Sequence, residues 1–102
     1  NLDYVKLGYS FIAYIGIFLE NTKKINQVIE DIREIPFVTV AHITTGKFNI
    51  FCKVRAHDTK HAKDIIFMID DIDGVSRTET MISLEESIND KKRLMHRIFN
   101  EL

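Results

Sequence analysis

Two stretches of equal length indicate the fold of this chain: VIEDIREIPFV, residues 28–38, and IIFMIDDIDGV, residues 65–75. At a constant offset of 37 residues, apolar side chains recur at five matching positions. These are Val28, Ile29, Ile32, Ile35 and Val38 in the first stretch and Ile65, Ile66, Ile69, Ile72 and Val75 in the second. The first four positions have the spacing of one face of an amphipathic helix, and the fifth opens a strand. The repeat indicates that the same helix–strand unit occurs twice.

Strands are predicted on both sides of each helical stretch. Each is a run of aromatic and β-branched residues bounded by turn formers. The runs cover 9–19, 37–44, 48–56 and 75–84, and a last amphipathic helix is predicted from Asn89 onward. The order βαββαβ is the ferredoxin-like arrangement, an α+β fold with both helices on one face of an antiparallel sheet. The pseudo-twofold of the repeat predicts the strand order 4-1-3-2.

Capping residues mark where the two helices begin. Asn21 or Thr22 is predicted to cap the first helix and Asp58 or Thr59 the second, because their side-chain oxygens can accept free backbone N–H groups. Pro36 stops the first helix, since the residue before a proline is pushed out of the helical region.

The first strand is apolar on both faces, which a sheet open to water on one side would not be. Phe11, Ala13, Ile15 and Ile17 point one way, and Ile12, Tyr14 and Phe18 point the other. In the second strand, Val38 and Val40 are predicted to lie opposite Phe37, Ala41 and Ile43. Two helices cover one face, so we predict a homodimer that buries Ile12, Tyr14 and Phe18. The alternative is that the C-terminal helix folds back over this face.

Composition limits the partners of the chain. The 102 residues suffice for one domain, and 14 basic against 15 acidic residues give a net charge of −1, which argues against a main contact with a nucleic-acid backbone. The single cysteine, Cys52, fits a reducing compartment. No apolar run approaches the roughly 20 residues that span a bilayer, and nothing resembles a signal peptide. We predict a cytoplasmic protein with no membrane partner.

Catalytic residues, a metal and a cofactor are not predicted, since neither a Gly-rich phosphate loop nor a G-x-S-x-G turn is present. His57 and His61 could share a metal ion, but two solvated histidines fit better because no third ligand is evident. His42 is either a pocket residue or a sheet histidine, and Cys52 is predicted to lie in the core. On the last helix, Lys91, Lys92, Arg93 and Arg97 accompany Asp90 and Glu101. That pattern favours a solvated face over a DNA contact.

Two polar segments interrupt the strands: TTGKFN, residues 44–49, and RTET, residues 77–80. Two interpretations are open. Residues 44–49 are a hairpin corner and residues 77–80 a strand edge without further role, or both segments are parts of a binding site. Strands two and four are opposite edges in the order 4-1-3-2. We therefore expect that one chain does not bring the two segments together and that a shared site forms across a subunit contact.

Three stretches together resemble the C-terminal effector-binding (RAM) domain of the leucine-responsive/asparagine-regulator (Lrp/AsnC) family of transcription regulators. They are LGYSFIAYIGI at 7–17, IREIPFVTVAHITTGKFNIFCKV at 32–54 and IDGVSRTETMISL at 72–84. The resemblance implies a domain over 7–88 that dimerises through its sheets, assembles into octamers and binds amino acids between dimers. DNA would be contacted only through an N-terminal helix-turn-helix, which has no counterpart here. Residues 1–6 would end the connecting strand, and 89–102 would form a helical extension.

The same resemblance implies which residues bind the effector. They are Thr45, Gly46, Lys47, Phe48 and Asn49 in the loop and Thr78, Glu79 and Thr80 in the last strand. A glycine lets a ligand approach the backbone closely, and free N–H groups can hold a carboxylate. Many members carry an acid where Asn49 stands and often another where Lys47 stands. Here an amide and a positive charge replace them.

These observations predict an effector-binding and oligomerisation domain of a transcription regulator, not an enzyme. One alternative is a small dimeric oxygenase or isomerase of ferredoxin-like fold, which would need an acid, a base or a metal set lining an interior cavity. The polar residues of this chain lie at the edges instead. The other alternative is a stand-alone regulatory module.

Overall fold

The computed structural model describes residues 3–101 and contains one antiparallel sheet of four strands. The strands are β1 (Phe11–Leu19), β2 (Val38–Ile43), β3 (Ile50–Ala56) and β4 (Val75–Ile82), and the helices are α1 (Ile25–Arg33), α2 (Thr59–Asp70) and α3 (Lys92–Glu101). The strand order β2-β3-β1-β4 confirms the predicted ferredoxin-like topology. Predicted strands extend up to two residues too far at their ends. None of the helices in the described part is long and apolar enough to cross a membrane.

A side-chain cap begins α2 where the sequence predicts one, and the cap predicted for the first helix begins a 3-10 turn just before α1. Asn21 accepts a hydrogen bond from Lys23 N at 2.9 Å and opens a short 3-10 turn that leads into α1. Asp58 accepts from His61 N at 2.8 Å and opens α2. Asn21 and Asp58 are therefore the capping residues of their respective pairs of candidates, Asn21 for the 3-10 turn and Asp58 for α2, and each satisfies a free backbone donor.

The core lies between the sheet and the pair α1 and α2. Its fully buried members come from β1, β3 and both helices and include Ile15, Ile17, Val28, Ile50, Cys52, Ile65 and Ile69. Positions of the sequence repeat from both units are among them, so the apolar residues that recur at the 37-residue offset are residues that pack in the core. Cys52 is fully buried, which confirms its predicted place in the core, and this burial raises the pKa of its thiol to about 12.

A β-bulge changes the predicted faces of β2. The register pairs Val38 with Val54, but Val40 with Lys53, so one residue between them is extra. The prediction that Val38 and Val40 share a face is wrong, because the bulge shifts the alternation by one residue. Beyond it, Ala41 lies on the helix side opposite Cys52, and His42 lies on the other side opposite Phe51.

The N-terminal segment turns rather than continuing a strand. Asp3 Oδ1 accepts from Val5 N at 3.0 Å, and Tyr9 N donates to Tyr4 O at 2.8 Å. The predicted connecting strand is therefore wrong over residues 3–6, because local hydrogen bonds close a turn there. Residues 1 and 2 lie outside the described part.

The sheet face that α1 and α2 do not cover is called the open face below. Its residues include Ile12, Tyr14, Gly16 and Phe18 of β1, Phe51, Lys53 and Arg55 of β3, and Arg77, Glu79 and Met81 of β4. The alternative in which the C-terminal helix covers this face is wrong, since every described residue of α3 is exposed. The segment before α3 approaches the face, where Glu86 pairs with Lys53 at 3.4 Å.

Candidate functional site

The β2–β3 connection, residues 44–49, is called the hairpin loop. Thr44 closes it twice, with its N donating to Asn49 O at 3.1 Å and its hydroxyl donating to Phe48 O at 3.0 Å. At the tip, Gly46 has a φ of +91°, a conformation that side chains rarely adopt. A Cβ built there would meet no heavy atom within 4 Å. The loop therefore presents bare backbone to open space.

Asn49 fastens the hairpin loop to the end of β1. Its N donates to Ile17 O at 3.0 Å, and its Oδ1 accepts from Leu19 N at 2.9 Å. Leu19 follows a register shift between Phe18 and Leu19 in the pairing with β4. The side-chain amide thus satisfies a backbone donor at an irregular point of the sheet. Asn49 positions the loop, and its amide oxygen is already engaged.

Phe48 lies flat against β1 on the open face. A Cβ added at Gly16 would come within 2.3 Å of the Phe48 ring. The ring also meets Phe18 edge-on at 5.2 Å and Phe51 at 5.9 Å between centroids. Gly16 is not among the predicted site residues, although a glycine inside a strand signals close approach by another group. It makes room for the ring that brings the hairpin loop over the sheet.

Lys47 reaches β4 within the same chain. Its Nζ lies 2.9 Å from Glu79 Oε1, and Arg77 flanks Glu79 at 3.7 Å. The hydrogen bond from Lys47, aided by the charges of Lys47 and Arg77, holds the pKa of the Glu79 carboxyl below its ordinary value. The expectation that one chain keeps the two polar segments apart is wrong. The hairpin loop crosses the end of β1, and a lysine side chain spans the remaining distance.

The structure separates the three predicted residues of β4. Glu79 lies opposite Gly16 on the open face, whereas Thr78 and Thr80 pair with Ile17 and Ile15 on the helix face. Thr78 donates its hydroxyl to Asp70 of α2 at 2.8 Å. The alternation of side chains along a strand carries this signal, since residues 78 and 80 must face away from 79.

His57, which is exposed, and the half-buried His61 both make contacts within the chain. His57 Nδ1 lies 2.7 Å from Gly8 O, and His61 Nδ1 accepts from His57 N at 3.0 Å. The rings of Tyr9 and His57 stack at 4.1 Å. Within residues 3–101, His, Cys, Asp and Glu side chains form no group of three or more that could hold a metal ion. The two histidines attach the N-terminal segment to α2.

A model of the Lrp/AsnC ligand binding domain matches residues 12–92. The chain belongs to the Lrp/AsnC family. Among curated relatives, the regulatory protein AsnC of Haemophilus influenzae is 35% identical over 88 residues, which are 85% of this chain and 59% of the relative. AsnC of Escherichia coli K12 is 32% identical over 84 residues, 81% of this chain and 55% of the relative. The chain thus spans less than two thirds of these Lrp/AsnC relatives.

Solved structures of Lrp/AsnC proteins share the fold. Escherichia coli AsnC superimposes with a TM-score of 0.84 at 30% identity, over 88% of this chain and 61% of that one. A feast or famine regulatory protein from M. tuberculosis, complexed with L-methionine, superimposes with a TM-score of 0.79 at 18% identity, over 89% of this chain and 61% of that one. The second likeness is one of fold alone.

Proposed function

We propose that this chain is the effector-binding and oligomerisation domain of an Lrp/AsnC transcription regulator, and that its effector is an amino acid. The observation that carries the proposal is the Lys47–Glu79 ion pair beside the bare backbone of Gly46. The names of the relatives, regulatory proteins, support a regulatory rather than an enzymatic role. The L-methionine complex of a structural neighbour supports the ligand class.

The charges of the site match those of a zwitterion. An amino-acid carboxylate can take the place of Glu79 at Lys47, and its ammonium can take the place of Lys47 at Glu79. The backbone at Gly46 is open for close approach, and Thr45 and Phe48 belong to the same loop. Thr78 and Thr80 lie on the helix face, so we assign them no contact with the effector.

Dimerisation through the open face follows from its aromatic centre. The rings of Tyr14 and Phe51 stack at 5.8 Å, and the neighbouring Met81 is 45% exposed. Ile12 is only 8% exposed in the single chain, and the Arg77 guanidinium lies 3.9 Å above the Phe18 ring. We therefore place the centre of the dimer contact at Tyr14, with Ile12 and Phe18 at its margins.

Higher assembly and DNA binding extend this proposal. The family resemblance supports octamers built from these dimers and a cytoplasmic setting. The net charge of −1 supports DNA contact through a helix-turn-helix outside these residues rather than through this domain.

Calorimetric titration of the domain with each common amino acid tests the effector site. We expect one or more to bind, and Lys47→Met and Glu79→Gln to weaken that binding at least about tenfold, the effect of losing a charged hydrogen bond. Lys24→Met is the matched control, because Lys24 pairs with Asp73 at 3.2 Å away from the hairpin loop. Absence of heat with every amino acid, or equal affinity in all three variants, would contradict the proposal.

A further inference from the structure

A cavity lies at the end of the sheet opposite the hairpin loop. Its volume is about 350 Å³, within the range of about 300–1,000 Å³ that small-molecule sites occupy. It is lined by Tyr4, Tyr9, Pro36, Phe37, Thr39 and Arg55. Three aromatic rings and one cation therefore enclose it, and the lining includes no carboxylate.

The aromatic walls are held in place from behind. Tyr9 stacks on His57 at 4.1 Å, and Phe37 meets His61 edge-on at 4.5 Å. The Tyr9 and Phe37 rings lie 6.2 Å apart with an angle of 29° between their planes. His57 and His61 sit at the start of α2, so the walls rest on a packed helix. A flat ring can pack against the surface that these two rings form, with little loss of side-chain freedom.

Arg55 is the cation of the cavity, and the Glu86 carboxylate is close enough to interact with its charge without bonding it. Its guanidinium lies 4.7 Å over the Tyr4 ring. Within residues 3–101 it pairs with no carboxylate, and the acid of this region, Glu86, bonds Lys53 instead at 3.4 Å. A guanidinium carries five donors in a planar fork that fits a carboxylate through two parallel hydrogen bonds. The side chain is partly withdrawn from solvent, which strengthens such a contact.

We propose that this cavity, which we call the Arg55 pocket, binds a small aromatic carboxylate that lacks an α-ammonium group. The carboxylate bonds Arg55, and the ring packs against Tyr9 and Phe37. An ammonium would lie near the Arg55 charge with no lining carboxylate to receive it. This selectivity is opposite to that of the hairpin loop, where Glu79 is available to an ammonium. The domain then has two ligand sites at opposite ends of one sheet, and the two sites select ligands of different chemistry.

Amide chemical shifts of the domain, recorded during titration with phenylacetate, test this assignment. We expect saturable shifts at Tyr9, Phe37 and Arg55 and none at Gly46. L-phenylalanine, which adds the ammonium to a comparable ring and carboxylate, is expected to leave these three amides unchanged.

Paired arginine variants separate the pocket from a general charge effect. Arg55→Met is expected to weaken phenylacetate binding at least about tenfold. Arg97→Met is the matched control, because it removes the same charge from an exposed guanidinium on α3 that bonds Glu101 at 2.9 Å, outside the pocket and the open face. Equal binding by both variants would overturn the proposal, as would L-phenylalanine binding as tightly as phenylacetate.

Self-association provides the remaining decisive outcome. A carboxylate from a second copy of the chain is the competing occupant of the Arg55 pocket. In that case phenylacetate fails to bind, and Arg55→Met lowers the sedimentation coefficient while Arg97→Met does not. That combination would overturn the small-molecule assignment.

Discussion

At the scale of single residues, Gly46 and Gly16 require glycine for different physical reasons, a backbone conformation in one case and a steric contact in the other. Gly46 adopts a φ of +91° in open space, so its backbone conformation excludes other side chains. Gly16 lies in a regular strand, where the Phe48 ring occupies the position of a Cβ. The first glycine shapes the tip of the hairpin loop, and the second lets the loop rest on the sheet.

Replacing Gly16 with alanine tests the contact with Phe48. The new methyl group would displace the ring, and overpacking of this kind costs about 1–3 kcal/mol of unfolding free energy. Urea denaturation measures the loss. In the Phe48→Ala background the same substitution should cost much less, since the clashing ring is gone. An equal cost in both backgrounds would show that Phe48 is not the neighbour that matters.

The ion pair of the hairpin loop has a pH signature. Because Lys47 lowers the pKa of Glu79 in the folded chain, the pair stabilises the loop fully above the pKa of the unfolded carboxyl. That stabilisation is lost as the pH falls through the lower, folded value. Lys47→Met should raise the Glu79 pKa toward its ordinary value, which a carboxyl-carbon NMR titration measures. An unchanged titration curve would mean that the two side chains do not meet in solution.

At the scale of elements, one side chain joins the hairpin loop to β1. Asn49→Ala removes the acceptor of Leu19 N, and an unsatisfied donor there costs about 1–3 kcal/mol. Hydrogen exchange of the Leu19 amide should accelerate in this variant. Asn49→Asp is the control, because it keeps an oxygen in place and should preserve most of the protection. If the Leu19 amide exchanged at the same rate in Asn49→Ala and in the unaltered chain, Asn49 would not be the residue that joins the loop to β1.

The elements themselves were predictable because local periodicity encodes them. The repeat at a 37-residue offset identifies two helices whose inner faces, from Val28 and Ile65 onward, pack on one sheet. The bulge between Val38 and Val40 was not predictable in this way. It depends on the pairing of β2 with a partner strand, and no alternation within β2 reveals it.

The candidate site was predictable as segments but not as an arrangement. Lys47 contacts Glu79 because Asn49 and Phe48 hold the hairpin loop against β1. These contacts join residues far apart in the sequence, so the local pattern does not predict them. Side-chain alternation alone could have separated Glu79 from its neighbours at 78 and 80. The Arg55 pocket is lined by residues from segments that lie far apart in the sequence, so no local sequence motif predicts it.

At the scale of the whole molecule, the open face is the surface through which we propose that the chain assembles. Tyr14→Asp places an unpaired charge at the stacked pair with Phe51, and such a charge is costly in an apolar contact. Sedimentation velocity should show dimers or larger species for the unaltered chain and a shift toward monomer for the variant. Asn26→Asp, on the exposed side of α1, should leave the distribution unchanged. A monomeric unaltered chain at micromolar concentration would contradict the proposed interface.

The most direct test of the central claim, that the hairpin loop and Glu79 bind an amino acid, is a titration followed by amide chemical shifts. The amino acid that binds most tightly should produce its largest saturable shifts at Gly46, Lys47 and Glu79, and Lys47→Met should abolish them. Saturable shifts confined to other parts of the sheet, or no saturable shift with any amino acid, would contradict the account.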